Sequence, residues 1–256
     1  MNRRLIRIAH GGGGVHAAPN SLEGIKIALT YGLEMIEIDV RCTRDGVPVL
    51  VHDDVLHGTA LRIGGSTLAA LRAQAPVATV EDALAMIDGK ALLNLDVKTA
   101  AAVTPLVALL RRDGAAETCV VSCLESRWLA GIAGELPALA HVLSYPADRG
   151  GASQKRWMKP AVDAAVFAMR QTLPVRIRGM LRPVPRAGVS VYHPLVTPRL
   201  VDLVHGMGIA LYTWTVDDPA RMRQLVDLGV DGVTSNRLDL LAELQPRVES
   251  AATGRV

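Results

Sequence analysis

The chain is predicted to be α/β, a single (β/α)8 TIM barrel with a small hairpin at the barrel mouth. Three observations lead there. A length of 256 residues suits one barrel domain and can bury a core without staples. Apolar residues make up 50% of the chain but only one is Phe, so the core must be aliphatic, built from Val, Leu, Ile and Ala. Strand-like runs alternate with helix-like runs from start to finish, which favours a parallel sheet.

The strand-like runs are Leu5–His10, Met35–Val40, Val47–His52, Leu92–Val97, Val120–Cys123, His141–Tyr145, Val189–His193, Ala210–Val216 and Gly232–Ser235. There is one more run than a barrel needs. Only Arg41 to Gly46 separates the second from the third, too few residues for a parallel crossover. Val47–His52 is therefore expected to fold back on Met35–Val40, leaving eight parallel strands. Among the helices, Asn20 with Glu23 reads as a capping pair opening a helix that stops near Gly32, and Thr79 with Asp82 does the same for the next. Asp217-Asp218-Pro219 opens another, closed by Gly229. The barrel is expected over residues 1–246, with 247–256 a tail.

A net charge of +3 makes no argument about nucleic acid by itself, and no nucleic-acid partner is expected. Cys42, Cys119 and Cys123 are odd in number and lack the spacing of a disulfide framework or a zinc site, which points to a reducing compartment. MNRRLIRIAH has no apolar signal core after its basic residues, and no run of about twenty apolar residues predicts a transmembrane segment. The expected location is cytoplasmic. From Gly150 to Ala187 the chain carries Lys155, Arg156, Lys159, Arg170, Arg176, Arg178, Arg182 and Arg186 against Asp163 alone. That stretch reads either as a solvated outer helix or as a positive rim for an anionic substrate, and peripheral membrane association is a further alternative.

The chemistry gathers at strand ends. The first strand ends in His10, the second carries Glu37 and Asp39, the hairpin strand ends in His52, and the third barrel strand carries Asp96 and Lys98. Residues at i and i+2 share one face of a strand, so Glu37 and Asp39 point together, as do Asp96 and Lys98. Charges inside an aliphatic strand are costly unless paired or bound to metal. Three carboxylates form the oxygen-rich ligand set of a hard cation, one Mg2+ or Ca2+, whereas zinc prefers nitrogen and sulfur.

Other positions keep two readings. Gly11 and Gly12, with Gly13 and Gly14, are either an anion nest for phosphate or a flexible loop. His16 is a candidate to reach the substrate. Trp214 stacks on a ligand or packs in the core, and Tyr192 and His193, ending another strand, are candidate substrate contacts. Asp53 supports His52 or belongs to a turn. His57, His141 and His205 carry no pattern, and no neighbouring histidine supports Cys123 as a nucleophile.

IAH-G at His10, PNSLEGIKIAL at Pro19, MIEIDVRCTRDGVPVLVHDD, LLNLDVK and TWTVDD…LGVDGVTSN together resemble the glycerophosphodiester phosphodiesterase family over nearly the whole chain. The resemblance implies a barrel, a divalent cation and two histidines acting as acid and base. Three departures stand out. Gly11 follows His10 where the family has a phosphate-holding Arg, Pro19 falls at a metal-binding Glu, and Asp96 replaces a Glu before Lys98. The reduced set His10, Glu37, Asp39, His52, Asp96 and Lys98 is similar to that of the sphingomyelinase D-like phospholipase toxins, which hold one cation and release a cyclic phosphate.

In-line attack on a phosphodiester needs a base for the nucleophile and an acid for the leaving alkoxide. Histidine suits both; His10 is taken as base and His52 as acid, an order that the sequence leaves open to reversal. Lys98 adds a positive charge on the phosphate. The expected activity is metal-dependent cleavage of a glycerophosphodiester or related sugar phosphodiester. The alternatives are a lyase releasing a cyclic phosphate, and a non-catalytic phosphate-ligand binding protein. The sequence predicts no oligomeric state.

Overall fold

The computed structural model describes residues 4–147, 158–184 and 187–245. The nine strands among the described residues are β1 (Ile6–Ala9), β2 (Met35–Cys42), β3 (Pro48–Leu50), β4 (Leu92–Val97), β5 (Cys119–Cys123), β6 (Ala140–Tyr145), β7 (Gly188–Tyr192), β8 (Leu211–Trp214) and β9 (Gly232–Ser235). Their order is β1-β9-β8-β7-β6-β5-β4-β2, closed by a parallel β1–β2 pairing, so eight strands form a parallel barrel. β3 stands outside it, antiparallel to the upper end of β2 with Val40 opposite Leu50. The short loop allowed nothing else, since a parallel return needs a crossover.

Outer helices cover the barrel: α1 (Leu22–Thr30), α2 (Leu68–Arg72), α3 (Val80–Ile87), α4 (Val103–Arg112), α5 (Ser126–Glu135), α6 (Lys159–Leu181), α7 (Pro198–Gly206), α8 (Pro219–Leu228) and α9 (Leu238–Glu243). The main apolar core lies between helices and sheet, lined by residues such as Ile25, Ile36, Leu95, Val121 and Leu225. A separate cluster of Ile8, Met35, Val120 and Val142 plugs the barrel interior. The plug leaves the polar residues above it to open only toward the carboxyl ends of the strands, where barrels keep their sites.

Local signals act as their chemistry requires. Thr79 and Asp82 form a reciprocal capping box for α3. Asp218 caps α8, Pro219 takes its first turn, and Gly229 closes it with φ of 94°. Asn20 is a correction. Ser21 is the cap of α1, accepting from the Gly24 N–H, while Asn20 sits at φ 58° with its side chain turned to the barrel. Both residues are competent caps, and Asn20 also tolerates the left-handed backbone that directs it inward.

The basic stretch forms α6, with Lys155, Arg156 and Arg186 outside the described residues. At 23 residues α6 is the longest helix described, and its fully buried residues are Leu173, Pro174, Ile177 and Leu181. Its first three turns carry no fully buried residue and leave Phe167 66% exposed. Among the described residues no helix is long and apolar enough to cross a membrane.

Candidate active site

β2 and β4 pair with Glu37 opposite Asn94 and Asp39 opposite Asp96. Alternation along both strands then turns Glu37, Asp39 and Asp96 into the barrel, above the apolar plug. Oxygens of all three lie within 4.8 Å of one another, and all three residues are buried. Lys98, just past β4, bridges two of them: Nζ is 2.8 Å from Asp39 and is also bonded to Asp96. Asn20 holds the rest of Asp39, donating to its carboxylate at 2.7 Å and accepting from its backbone N–H at 2.8 Å. Ser122 on β5 donates to Asp96 at 2.8 Å.

Glu37 is placed differently. Its carboxylate accepts from the Gly11 N–H at 2.9 Å and, among the described residues, forms no ion pair. Burial and repulsion from Asp39 push its pKa up to about 7. Burial would raise Asp39 too, but the Lys98 charge and hydrogen bond, aided by Asn20, hold it below the ordinary range. For Lys98 the cost of burial is outweighed by Asp96, Asp39 and Glu37, which raise its pKa. Three carboxylates against one ammonium leave a negative excess centred on Glu37, and a hard cation would remove it. The residues present therefore fit a divalent ion.

His10 follows β1. Its Nδ1 lies 2.7 Å from Asn236 Oδ1, while Asn236 Nδ2 donates to Asp217 at 2.8 Å. Asp217 also accepts from the Asn236 N–H and the Ser235 hydroxyl, each at 2.8 Å. With the amide nitrogen fixed on Asp217, the asparagine oxygen faces the imidazole, so His10 carries its proton on Nδ1 and presents Nε2 to the barrel. Burial would lower the His10 pKa, but Glu37, the Asn236 bond and Asp39 together raise it. His52, beyond β3, is exposed at the mouth, with Nδ1 2.8 Å from Asp53. Arg41 on β2 anchors its backbone, donating from Nε to the His52 carbonyl at 2.7 Å. His52 acts on Asp39, the carboxylate that together with Glu37 also acts on His10.

The glycine loop is not an anion nest. Gly11 and Gly12 donate to the Glu37 carboxylate and carbonyl, and Gly13 and Gly14 to the Gly11 and His10 carbonyls. These glycines are needed for close approach. A Cβ on Gly13 would lie 2.7 Å from Gly24 Cα, and one on Gly14 2.1 Å from the Asn236 carbonyl oxygen. His16 also departs from expectation: its ring packs 5.5 Å from Tyr31 and its Nε2 is 3.6 Å from Asp239, so its contacts lie away from the carboxylates. His193 accepts from Arg221 Nε at 3.4 Å, and burial together with that guanidinium pushes its pKa down to about 4. It braces α8 where a substrate contact was expected.

Tyr192 and Trp214 pair across β7 and β8, with ring centroids 5.6 Å apart, and alternation places both on the interior face. Trp214 Nε1 donates to the Ser190 carbonyl at 3.2 Å. Sequence reasoning missed Asn236, Asp217, Ser122 and the inward role of Asn20. Position offered the available signal for Asn236 and Ser122, since polar residues at the carboxyl ends of barrel strands face the site.

The barrel gathers carboxylates, one lysine and two imidazoles toward its carboxyl face, and its family is one of phosphoric diester hydrolases. Residues 10–240 match the model of the glycerophosphoryl diester phosphodiesterase family, and the chain is a member of that family. It is 30% identical over 260 residues to "Probable glycerophosphodiester phosphodiesterase 2" of Mycobacterium tuberculosis, covering 93% of this chain and 90% of the relative. Its fold is that of a glycerophosphodiester phosphodiesterase from Parabacteroides distasonis, with TM-score 0.75, 19% identity, and 95% and 97% of the two chains covered. It is also similar to an Oleispira antarctica phosphodiesterase solved with the product sn-glycerol-3-phosphate, with TM-score 0.72, 20% identity, and 93% and 97% covered.

Proposed function

We propose that this chain cleaves a glycerophosphodiester or a related sugar phosphodiester with two histidines and one divalent cation, Mg2+ or Ca2+. The observation that carries the reading is the buried group of Glu37, Asp39 and Asp96, negative beyond what Lys98 neutralises, in the field of two imidazoles. Glu37, Asp39 and Asp96 would hold the cation, which supplies charge neutralisation for the non-bridging phosphate oxygens. Lys98 adds its own charge on the same side. His10, protonated on Nδ1 by the Asn236 contact, takes the nucleophile's proton at Nε2. His52, its Nδ1 turned to Asp53, delivers a proton from Nε2 to the leaving alkoxide. The sn-glycerol-3-phosphate in the Oleispira relative supports a glycerol phosphate product.

A second reading shares the site. Gly11 stands where the family has an arginine, and among the described residues Lys98 is the only lysine or arginine paired with the carboxylates. Such a reduced site suits attack by the substrate's own neighbouring hydroxyl, releasing a cyclic phosphate.

Phosphorus NMR of the reaction decides between them. Glycerophosphodiesters and sugar phosphodiesters are incubated with Mg2+ or Ca2+, with and without chelator. A monoester that forms directly and disappears with chelator is expected. A cyclic phosphate moves the reading to the lyase. Tight calorimetric binding with no product from any diester would make the chain a binding protein.

A further inference from the structure

Away from the carboxylates, α6 presents a surface that the barrel does not use. A helix that follows a parallel strand runs back along it, so the first turns of α6 lie at the carboxyl end of the barrel. α6 packs there on the short turn His193–Leu195 after β7. Arg170 is near enough to Arg221, which bonds to the His193 carbonyl, that burial and the Arg170 charge together lower the Arg221 pKa. The inner face of α6 carries Leu173, Ile177 and Leu181 into the core. The outer face of such a helix should be polar, yet Ala161, Ala164, Phe167, Ala168 and Val175 are all exposed, interrupted by Gln171. Phe167 is the only Phe of the chain, and at 66% and 75% exposure it and Val175 stand almost free of the protein. Eight positions separate the two, which leaves them about 80° apart around the helix, on one face. Arg178 and Arg182 continue that same face at its end.

We infer that the outer face of α6 rests on an anionic lipid surface, with Phe167 and Val175 entering the headgroup layer and the arginines meeting lipid phosphates. The inference is independent of the reaction at the carboxylates. Single exposed apolar residues are ordinary, but an apolar face bordered by cations marks an interaction surface. Charge selects the occupant. α6 and its cap carry five cations, Lys159, Arg170, Arg176, Arg178 and Arg182, against Asp163, which Lys159 pairs at 3.2 Å. The four arginines form no ion pair among the described residues. A second copy of the chain would set five cations against five, and like charges across an interface repel. A nucleic acid would meet the cations but leave the apolar face in water. An interfacial helix uses both, apolar contact and anionic phosphates. Among the described residues no helix can cross a membrane, so the contact is peripheral. Since α6 begins at the end of the barrel that holds the carboxylates, a membrane lying along it runs beside the mouth of the site.

The test sediments the full chain with vesicles of phosphatidylcholine alone, and of phosphatidylcholine with an equal share of phosphatidylglycerol. Sedimentation with the anionic vesicles only, reversed by added salt, is expected. Phe167→Ser should weaken the partition about tenfold, and Arg178→Ala and Arg182→Ala about fivefold each. These exposed side chains lie outside the site, so thermal midpoints and turnover of a dissolved diester should stay at wild-type values. Equal binding to both vesicles, or binding to neither, overturns the inference. Anionic binding that survives Phe167→Ser combined with Val175→Ser overturns it too, because the seat of binding then lies elsewhere on the chain. A wild-type dimer that Phe167→Ser separates, with no sedimentation on either vesicle, gives the face to a second copy and overturns the lipid assignment.

Discussion

Asn236 fixes the His10 proton on Nδ1 only while Asp217 holds the amide nitrogen, so the two residues act on His10 as one unit. Asn236→Ala removes both the tautomer control and one of the interactions that raise the His10 pKa. A loss of about 10–100-fold in kcat is expected. The rising acidic limb of the kcat/KM profile should move to lower pH, because a base with a lower pKa is deprotonated sooner. An unmoved limb would make Asn236 merely structural. His10→Ala and His52→Ala should each cost at least about a hundredfold in kcat, and near-full activity in either variant would remove that histidine from the reaction. At this scale the sequence was legible wherever a pattern was local. Glu37 with Asp39, and Asp96 with Lys98, follow from strand alternation alone. Asn236 lies 226 positions from His10, and no spacing rule joins them. Asn20 was misread because an asparagine just before a helix satisfies two descriptions at once, a cap and a left-handed turn residue.

The loop between β1 and α1 ties these residues to the scaffold. Gly14 at φ 56° lies under the Asn236 carbonyl, which accepts the Val15 N–H at 3.0 Å. Gly14→Ala would force a Cβ to 2.1 Å from that oxygen in a backbone conformation that disfavours a side chain. The strand end must shift, so the variant should lose about 1–3 kcal/mol of stability, read by denaturant melts, and kcat should fall because Asn236 moves. A stable variant with reduced kcat would also support the tie, whereas a stable and fully active one would contradict it. Remote from the site, Thr79→Ala should cost about 1 kcal/mol through its capping box and leave kcat unchanged. Strands and caps were readable because each depends on neighbours within a few residues, and the antiparallel β3 because loop length forbids the alternative. The glycine run was not. Its composition fits an anion nest and a tight packing loop alike, and the N–H partners that decide between them come from Glu37, on the next strand.

At the scale of the molecule, the barrel turns a costly set of charges into a site. Closure of β1 on β2 brings His10 and the Gly11 N–H beside Glu37, while the apolar plug denies the carboxylates any counter-charge from below. Alternating strands and helices made the barrel legible, and with it the pairing of β1 with β2 that a (β/α)8 barrel requires. The resulting strain on Glu37 can be measured. Its pKa is pushed from the ordinary 4.5 up to about 7, so the folded metal-free protein keeps a proton that the unfolded chain has already released. This group's contribution to stability is therefore largest below about pH 4.5, falls as pH rises through the interval to about 7, and is level above it. Cation binding works in the opposite sense, because it needs the carboxylate and must displace that proton. Mg2+ or Ca2+ at roughly a hundred times its Kd should stabilise by about 2.7 kcal/mol once Glu37 is ionised. For a domain of this size that is an increase in Tm of about 5–10 °C. Scanning calorimetry of chelator-treated protein, with and without added cation, should show a larger increase near pH 8 than near pH 5.5. Equal increments at both values would mean that the ion binds without displacing a proton from Glu37. No increment at either, in a protein that still cleaves diesters in chelator, would remove the cation from the site.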